Sequence, residues 1–271
     1  MNRDFIAKHW YASVYEQFEN QTRDVEFLLN VLHKNTTGET QKILEVACGG
    51  GRICVPLAQA GYNVAGFDAD EHMLMRCYSR MRDIPNITCY QADALNTDWG
   101  VGFDVVVMAG NILINIETDI ETSMDYAKMQ ETFIRKAAAA LRPGGHLYMD
   151  YDQHSDASAI KVFNGIGEHS YFRGADDLGT SGRTVSYSGA YDPVTRIWAG
   201  IGHCELTTNN GVRVIYSDKP RYKHIPALSQ VYGWLSAAGF IVYKTFKNYT
   251  DEPLSDQEPD FVRATIWARK G

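Results

Sequence analysis

Hydrophobic residues in the first part of the chain recur every three to four positions, the period of an amphipathic helix. This pattern predicts helix over 5–33, ended by the polar, glycine-containing sequence at 35–38. From Lys42 the period shortens, and short apolar strands alternate with helices, which predicts a parallel sheet with helices on both faces. The predicted strands are 43–47, 62–67, 87–90, 103–108 and 146–151, and the predicted helices are 53–60, 71–82 and 124–141.

A different pattern begins after residue 180. Alternating, β-rich segments at 184–191, 196–206 and 212–216 are joined by hairpin turn signals, which predicts an antiparallel insert. A helix at 228–238 and two strands at 241–246 and 261–268 then complete the main sheet. The predicted fold class is α/β, with a Rossmann-like, seven-stranded, mostly parallel sheet whose last strand is antiparallel. The predicted domains are an N-terminal helical cap (1–40), a core (41–152 and 225–271) and the antiparallel β insert (153–224).

Composition excludes several classes of protein. The chain has 271 residues, 45% hydrophobic and 22% charged, as in a globular protein with a large core. Its formal net charge of −7 and the absence of a basic run argue against a nucleic-acid partner. No apolar stretch approaches the roughly 20 residues that a membrane span needs, and no signal peptide is evident. We therefore expect a cytoplasmic protein without a membrane partner.

Cysteine spacing gives no sign of a metal site. The five cysteines form no CxxC pair, and an odd, scattered set is typical of reduced thiols that pack as small apolar residues. They are Cys48, Cys54, Cys77, Cys89 and Cys204.

A glycine-rich turn follows the first strand. Gly49, Gly50 and Gly51 lead directly into a helix, so bare backbone N–H groups lie beside the helix N-terminus and can approach a ligand. Asp68 ends the second strand 19 residues after Gly49, where its carboxylate can accept hydrogen bonds from a ribose diol. Asp93 ends the third strand in the same way. Together these residues predict a nucleoside-containing cofactor.

The motif resembles one family in particular. A dinucleotide-binding turn would place a third glycine where Cys54 stands, whereas residues 45–51 (EVACGGG) resemble the first motif of class I S-adenosylmethionine-dependent methyltransferases. Asp68 is similar to their ribose-binding acid, and 141–145 (LRPGG) to their turn into the fifth strand. The resemblance implies that S-adenosylmethionine (SAM) is the cofactor and S-adenosylhomocysteine the product. It implies cofactor contacts from Tyr15, Glu45, Ala47, Gly49, Gly51, Arg52, Asp68, Met73, Asp93, Ala94, Ala109 and Asn111, with capping of the motif as the alternative role of Arg52.

A closer resemblance is to glycine N-methyltransferase and sugar-amine N-methyltransferases. Residues 103–111 are similar to their fourth strand, whose Gly-Asn pair reaches the methionine end of the cofactor, and 170–217 and 246–249 are also similar. The resemblance implies N-methylation of a small molecule, with the insert covering the active site and a helix over the methyl group. Tyr11 is then expected near the acceptor and Tyr15 near the cofactor, unless both belong to a packing stripe. Acceptor contacts are expected from Tyr171, Tyr222 and His224, for which a purely structural role is the alternative.

Two positions depart from those enzymes. Asn115 stands where the family has a histidine facing the acceptor, and Asp152 stands where the glycine enzyme has an arginine that binds the substrate carboxylate. An acid there reverses the preferred charge, so we expect a cationic or sugar amine rather than glycine, unless Asp152 is a solvated turn residue. Asn115, Asp152 or a tyrosine hydroxyl can take the proton of the amine through water. The predicted catalytic residues are Tyr11, Asn111, Asn115 and Asp152.

Several alternatives stay open. Asp150, Asp152, His154 and Asp156 alternate as metal ligands on a strand would, but the family uses no metal there for N-methylation, so no metal is predicted. An O-methyltransferase on a hydroxylated metabolite would need a base, for which His154 or His224 could serve. A modifier of RNA or protein and a protein that only binds the cofactor are further alternatives. Edge strands of the insert make a homodimer possible.

Overall fold

The computed structural model describes residues 2–36, 41–116, 126–153, 172–217, 221–254 and 262–271. By their contacts the residues divide into two compact units. One comprises Met1–Gln21 and Asp156–His224, and the other comprises Thr22–Ser155 and Ile225–Gly271.

The helices and strands follow one another in an alternating order through most of the chain. The helices are α1 (Arg3–Phe18), α2 (Arg23–Asn35), α3 (Cys54–Gln59), α4 (Glu71–Met81), α5 (Tyr126–Ala140) and α6 (Leu228–Ala237). The strands are β1 (Lys42–Val46), β2 (Asn63–Asp68), β3 (Ile87–Gln91), β4 (Phe103–Met108), β5 (Leu141–Gln153), β6 (Arg173–Ala175), β7 (Ser181–Asp192), β8 (Ile197–Thr207), β9 (Arg213–Ser217), β10 (Arg221–His224), β11 (Phe240–Lys247) and β12 (Val262–Lys270).

The larger unit is built on a seven-stranded sheet with the strand order β11-β12-β5-β4-β1-β2-β3. Strands β1 to β5 pair in parallel, whereas β12 runs antiparallel to both β5 and β11. Val105, Val106 and Val107 of β4 are all fully buried, because apolar residues cover both faces of the sheet. The predicted Rossmann-like fold is confirmed. In such a sheet the carboxyl ends of the parallel strands form one edge, where ligands bind.

The smaller unit contains an antiparallel sheet with the order β10-β8-β7-β6, and β9 pairs with β8. Helix α1 packs in this unit through Trp10, which is fully buried and donates a hydrogen bond from Nε1 to the Gly174 carbonyl oxygen (3.1 Å). The sequence pattern predicts this sheet, but it does not reveal the short strands β6 and β10. Whether this sheet covers the active site stays a prediction.

The N-terminal helical region differs from its prediction. The pattern predicts one stretch over 5–33, but α1 ends at Phe18 and α2 begins at Arg23. No apolar residue lies between Phe18 and Val25, so nothing in that stretch can pack a continuing helix into the core. The two helices belong to different units, whereas the predicted cap placed both in one segment. The functional domain assignment stays a prediction.

The fifth strand is also longer than predicted. β5 begins at Leu141, before the Pro-Gly-Gly turn, because Leu141 pairs with Phe103 and the register then shifts so that His146 pairs with Val105. Among the helices in the described ranges, none has the length and hydropathy needed to cross a membrane.

Candidate active site

The turn after β1 holds an unusual backbone conformation. Ala47, Gly49 and Gly51 have positive φ angles of 57°, 52° and 84°. Without a side chain, Gly49 can lie close to α4, because a Cβ there would be 3.1 Å from Cε of Met73. The turn therefore exposes backbone to a ligand at the carboxyl edge of the sheet and brings the predicted residues Gly49 and Met73 together.

Asp68 fixes this turn to the end of β2. Its Oδ2 accepts a hydrogen bond from the Gly49 amide, and its Oδ1 accepts one from the Asp70 amide, both at 2.8 Å. Burial raises the pKa of Asp68, and these hydrogen bonds oppose the rise. Each carboxylate oxygen has about two acceptor sites, so capacity remains for a ribose diol.

Asp93 and Ala94 lie after β3 and shape the next turn. Asp93 is exposed, accepts from the Leu95 amide (2.8 Å) and accepts from the Asn96 side-chain amide (2.6 Å). The Ala94 carbonyl accepts from Trp99 Nε1 (2.9 Å). These bonds hold the turn at the same edge of the sheet, and direct contact with the cofactor stays a prediction for both residues.

Glu45 and Arg52 have protein partners that sequence reasoning missed. Glu45 is 3% exposed and faces buried cysteines, and burial raises its pKa well above the usual range. Arg52 forms a bidentate ion pair with Asp24 at the start of α2, with N–O distances of 2.7 and 2.6 Å. For each residue, a role in binding the cofactor stays a prediction.

A second group of residues surrounds the carboxyl ends of β4 and β5. Asp150 is fully buried, and its Oδ1 accepts hydrogen bonds from the amides of Gly110 (3.0 Å) and Asn111 (3.2 Å). Both donors have positive φ angles, 71° and 67°. Tyr249 donates its hydroxyl to Asp150 Oδ2 (3.2 Å) from a turn in which Asn248 and Tyr249 are both left-handed, at 51° and 55°. Asp150 therefore anchors the Gly-Asn pair.

Arg263 completes this group. It lies on β12 directly opposite Asp152, donates from Nη1 to Asp150 Oδ1 (3.0 Å), and places Nε 2.7 Å from Asp152 Oδ1. Burial alone would lower the pKa of Arg263, but Asp150, Tyr249 and Asp152 raise it, so the guanidinium stays charged. Burial raises the pKa of Asp150, and Arg263 is the largest opposing influence. The one signal in the sequence is a charged residue near the start of β12, followed by five uncharged residues at 264–268.

Asn111 and Asp152 are locked to each other. The Asn111 side-chain nitrogen donates to Asp152 Oδ2 and its side-chain oxygen accepts from the Asp152 amide, both at 2.7 Å. The structure thus brings together two of the predicted catalytic residues. It also shows that Asp152 is ion-paired and not a freely solvated turn residue.

Residues 43–145 match the family model of a methyltransferase domain. The protein is a SAM-dependent methyltransferase, and SAM is its cofactor.

Relatives with similar sequences cover different shares of this methyltransferase. YqeM of Bacillus subtilis (strain 168), named as a methyltransferase, is 25% identical over 272 residues, which span 94% of this chain and 95% of YqeM. A ubiquinone biosynthesis O-methyltransferase of Mesorhizobium japonicum is 28% identical over 113 residues, or 41% of each chain.

Solved structures share the fold over almost the whole chain. A SAM-dependent methyltransferase from Clostridium acetobutylicum ATCC 824 has a TM-score of 0.70 at 14% identity, covering 96% of each chain. The sugar N-methyltransferase KedS8 from Streptoalloteichus sp. ATCC 53650 has a TM-score of 0.67 at 17% identity, covering 95% of this chain and 93% of KedS8.

Two other predicted residues of the methyltransferase lie beside the Gly-Asn pair. Ala109 immediately precedes it at the end of β4 and is half-buried. Asn115 is exposed, and its amide donates to the Asn111 carbonyl (3.0 Å), so it lies about one helical turn further on. Its role at the acceptor stays a prediction.

The remaining predicted residues belong to the smaller unit. Tyr11 and Tyr15 stack on α1 with ring centroids 6.2 Å apart, and Phe172 packs 5.3 and 5.9 Å from them. On β10, Tyr222 is 48% exposed and His224 is buried. Tyr171 lies outside the described residues, as do His154 and Asp156. Roles for Tyr11, Tyr15, Tyr171, Tyr222 and His224 in the reaction stay predictions.

Proposed function

We propose that this methyltransferase transfers the methyl group of SAM to the amine nitrogen of a small cationic or polyhydroxylated molecule, such as an amino sugar. One observation carries the proposal: the carboxylates of Asp150 and Asp152 face the single guanidinium of Arg263 beside Asn111. The group has one more negative than positive charge, which favours a cationic acceptor over an anionic one.

Asp152 is the member of this group that is placed to meet an acceptor. Its side chain is 18% exposed, whereas Asp150 is fully buried and accepts from Gly110, Asn111, Tyr249 and Arg263. Arg263 pairs with both acids, so it is not free to bind the carboxylate of an amino acid. This supports the expected rejection of glycine.

The reaction needs alignment more than a strong base. When bound, SAM supplies a methyl group on a sulfonium sulfur, and methyl transfer is an in-line displacement at that carbon. An amine attacks only when it is neutral, so a group that accepts its proton, directly or through water, assists the reaction. Asp152 fits this role, and Asn111 holds the Asp152 carboxylate in one orientation through two hydrogen bonds. A fixed, partly buried site of this kind is already oriented before the reaction begins.

The comparisons include enzymes that methylate nitrogen and enzymes that methylate oxygen. The sugar N-methyltransferase KedS8 shares the fold over 95% of this chain, and the ubiquinone biosynthesis O-methyltransferase of M. japonicum is similar in sequence over 41% of it. That O-methyltransferase makes transfer to a hydroxyl oxygen of a small metabolite the second candidate function. Cytoplasmic location, homodimer formation and the absence of a nucleic-acid partner stay predictions.

The test uses labelled SAM and matched pairs of acceptors. Each amino sugar is compared with the sugar that carries a hydroxyl at the same carbon, and glycine, a polyamine and a phenol complete the set. We expect label in the amines and not in their hydroxyl partners. Label in the hydroxyl sugars or the phenol would favour the O-methyltransferase, and label in glycine would contradict the charge argument.

The same assay tests Asp152. Asp152→Asn is expected to raise the KM for the amine about tenfold, since it weakens a charge-assisted hydrogen bond worth about 1.5–3 kcal/mol, while the Kd of SAM stays the same. Asp98→Asn, at an exposed acid, is the matched control. An unchanged KM in Asp152→Asn would exclude Asp152 as the selecting group.

A further inference from the structure

Four cysteines that are distant in the sequence meet beneath the glycine turn. Cys48 follows β1, Cys54 begins α3, Cys77 lies in α4 and Cys89 lies in β3. Their Sγ atoms all lie within 4.8 Å of one another, and every one of the four residues is buried. The distances are 3.9 Å for Cys54–Cys77, 3.9 Å for Cys54–Cys89 and 3.3 Å for Cys77–Cys89.

These distances suit a tetrahedral metal site. Four sulfurs at about 2.3 Å from a zinc ion are about 3.8 Å from each other, and the observed separations lie on both sides of that value. Thiolate ligands select soft or borderline metals such as zinc. We infer that Cys48, Cys54, Cys77 and Cys89 form a structural binding site for one Zn²⁺ ion.

Two glycines allow the four sulfurs to come together. A Cβ at Gly51 would lie 2.9 Å from the Cys77 sulfur. A Cβ at Gly66 would lie 3.1 Å from the Cys48 sulfur and 3.2 Å from the Cys89 sulfur. The backbone at both positions approaches the sulfurs more closely than a side chain would permit. The four sulfurs therefore fill a compact space that is bounded by main chain.

A positive charge near the cluster also fits a metal site. Four thiolates on Zn²⁺ carry a net charge of −2, and Arg80, which donates to the Gly50 carbonyl (2.7 Å), acts electrostatically on Cys77.

The site would have a structural rather than a chemical role. Four protein ligands leave no open position on zinc, so the ion takes no part in methyl transfer. It would join β3, α3 and α4 to the residue directly before Gly49, and so hold the cofactor-binding turn in place. The inference is independent of the identity of the acceptor.

Metal content of the full-length protein tests the inference. The chain is produced with Zn²⁺ in the medium, freed of loosely bound metal, and analysed by mass spectrometry of the elements. We expect about one Zn²⁺ per chain, released when a mercurial reagent blocks the thiols. Protein produced with Co²⁺ should show thiolate-to-cobalt charge transfer and the visible bands of tetrahedral Co²⁺.

Substitutions of single cysteines test which thiols bind the metal. Cys77→Ser and Cys89→Ser are expected to lose the metal and to unfold at lower temperature. Cys204→Ser is the matched control, because Cys204 lies on β8, outside the cluster, and should leave the metal content unchanged. If the Ser variants do not fold, the cobalt spectrum of the unaltered chain decides. Four free thiols without metal, a disulfide among these cysteines, or bound iron would each overturn the inference.

Discussion

Two groups of residues in the larger unit are built in different ways: the glycine turn with Asp68, which is the proposed cofactor side, and the group around Asp150, Asp152 and Arg263, which is the proposed acceptor side. On the cofactor side, the central contact joins Gly49 and Asp68, which are 19 residues apart, and the donors are backbone amides. On the acceptor side, Asp150 binds Tyr249 and Arg263, which are 99 and 113 residues away. A short segment of chain therefore specifies the first side, whereas the second exists only once β12 has paired with β5.

The largest expected effect comes from a substitution that disrupts the acceptor side. Arg263→Gln leaves the buried Asp150 without its cation, and loss of one partner of a buried ion pair costs about 3–5 kcal/mol of folding free energy. The free energy of unfolding from urea titration and the Kd of SAM from calorimetry should therefore respond differently. We expect a large loss of stability and of acceptor turnover, and a smaller rise in the Kd of SAM for the folded protein, because Asp150 also anchors the Gly-Asn pair that is predicted to reach the cofactor.

The matched control for that variant is Arg269→Gln on the same strand. Arg269 is exposed, and its hydrogen bonds to Gly144 and Tyr243 are long, at 3.3 and 3.4 Å. We expect it to cost less than about 1 kcal/mol. Equal losses in the two variants would show that Arg263 is an ordinary surface arginine.

The next largest effect is expected from a substitution on the cofactor side. Asp68→Asn removes the charge that is predicted to accept hydrogen bonds from the ribose diol, and a hydrogen bond to a charged group is worth about 1.5–3 kcal/mol. The Kd of SAM is expected to rise between about tenfold and a hundredfold. Asp83→Asn is the control, because Asp83 is an exposed acid in the same unit, and it should leave the Kd of SAM unchanged. Unaltered affinity in Asp68→Asn would show that ribose binding lies elsewhere.

The pH dependence of SAM binding tests the same role of Asp68. Burial raises the pKa of Asp68 above its ordinary value of 3.8. Because the diol needs the ionised carboxylate, SAM affinity should fall on acidification already above pH 3.8. The free energy of unfolding depends on pH in the opposite direction to SAM affinity. Because the pKa of Asp68 is raised in the folded protein, its contribution to stability is fully present below pH 3.8 and is lost as the pH rises through the raised pKa. The Kd of Asp68→Asn should lack this acid limb, and an acid limb retained in the variant would assign it to another group.

The smallest effect concerns Arg52. If Arg52 only joins the turn before α3 to α2, then Arg52→Gln and Asp24→Asn should each lower stability by about 1 kcal/mol and leave the Kd of SAM unchanged. If Arg52 binds the cofactor carboxylate, only Arg52→Gln should weaken SAM binding. Calorimetry on the pair of variants separates the two roles.

The contrast between the two sides also explains what the sequence could predict. Strand and helix periods predict the order of elements, and the glycine turn with Asp68 lies within one βαβ segment, so local pattern suffices for the fold and the cofactor. Arg263 was missed because its partners depend on the register of β12 with β5, which no local pattern reveals. The gathering of Cys48, Cys54, Cys77 and Cys89 was missed for the same reason. The positive φ angles of Asn248 and Tyr249 were also missed, because no glycine at either position indicates a left-handed turn.

The hairpin of β11 and β12 has a consequence for how such an enzyme diverges. Its left-handed turn brings Tyr249 to Asp150, and Arg263 follows on the returning strand. None of these residues lies in the βαβ segment that carries the glycine turn and Asp68. Changes in this hairpin can therefore alter the group around Asp150 and Asp152 while the contact between the glycine turn and Asp68 stays the same.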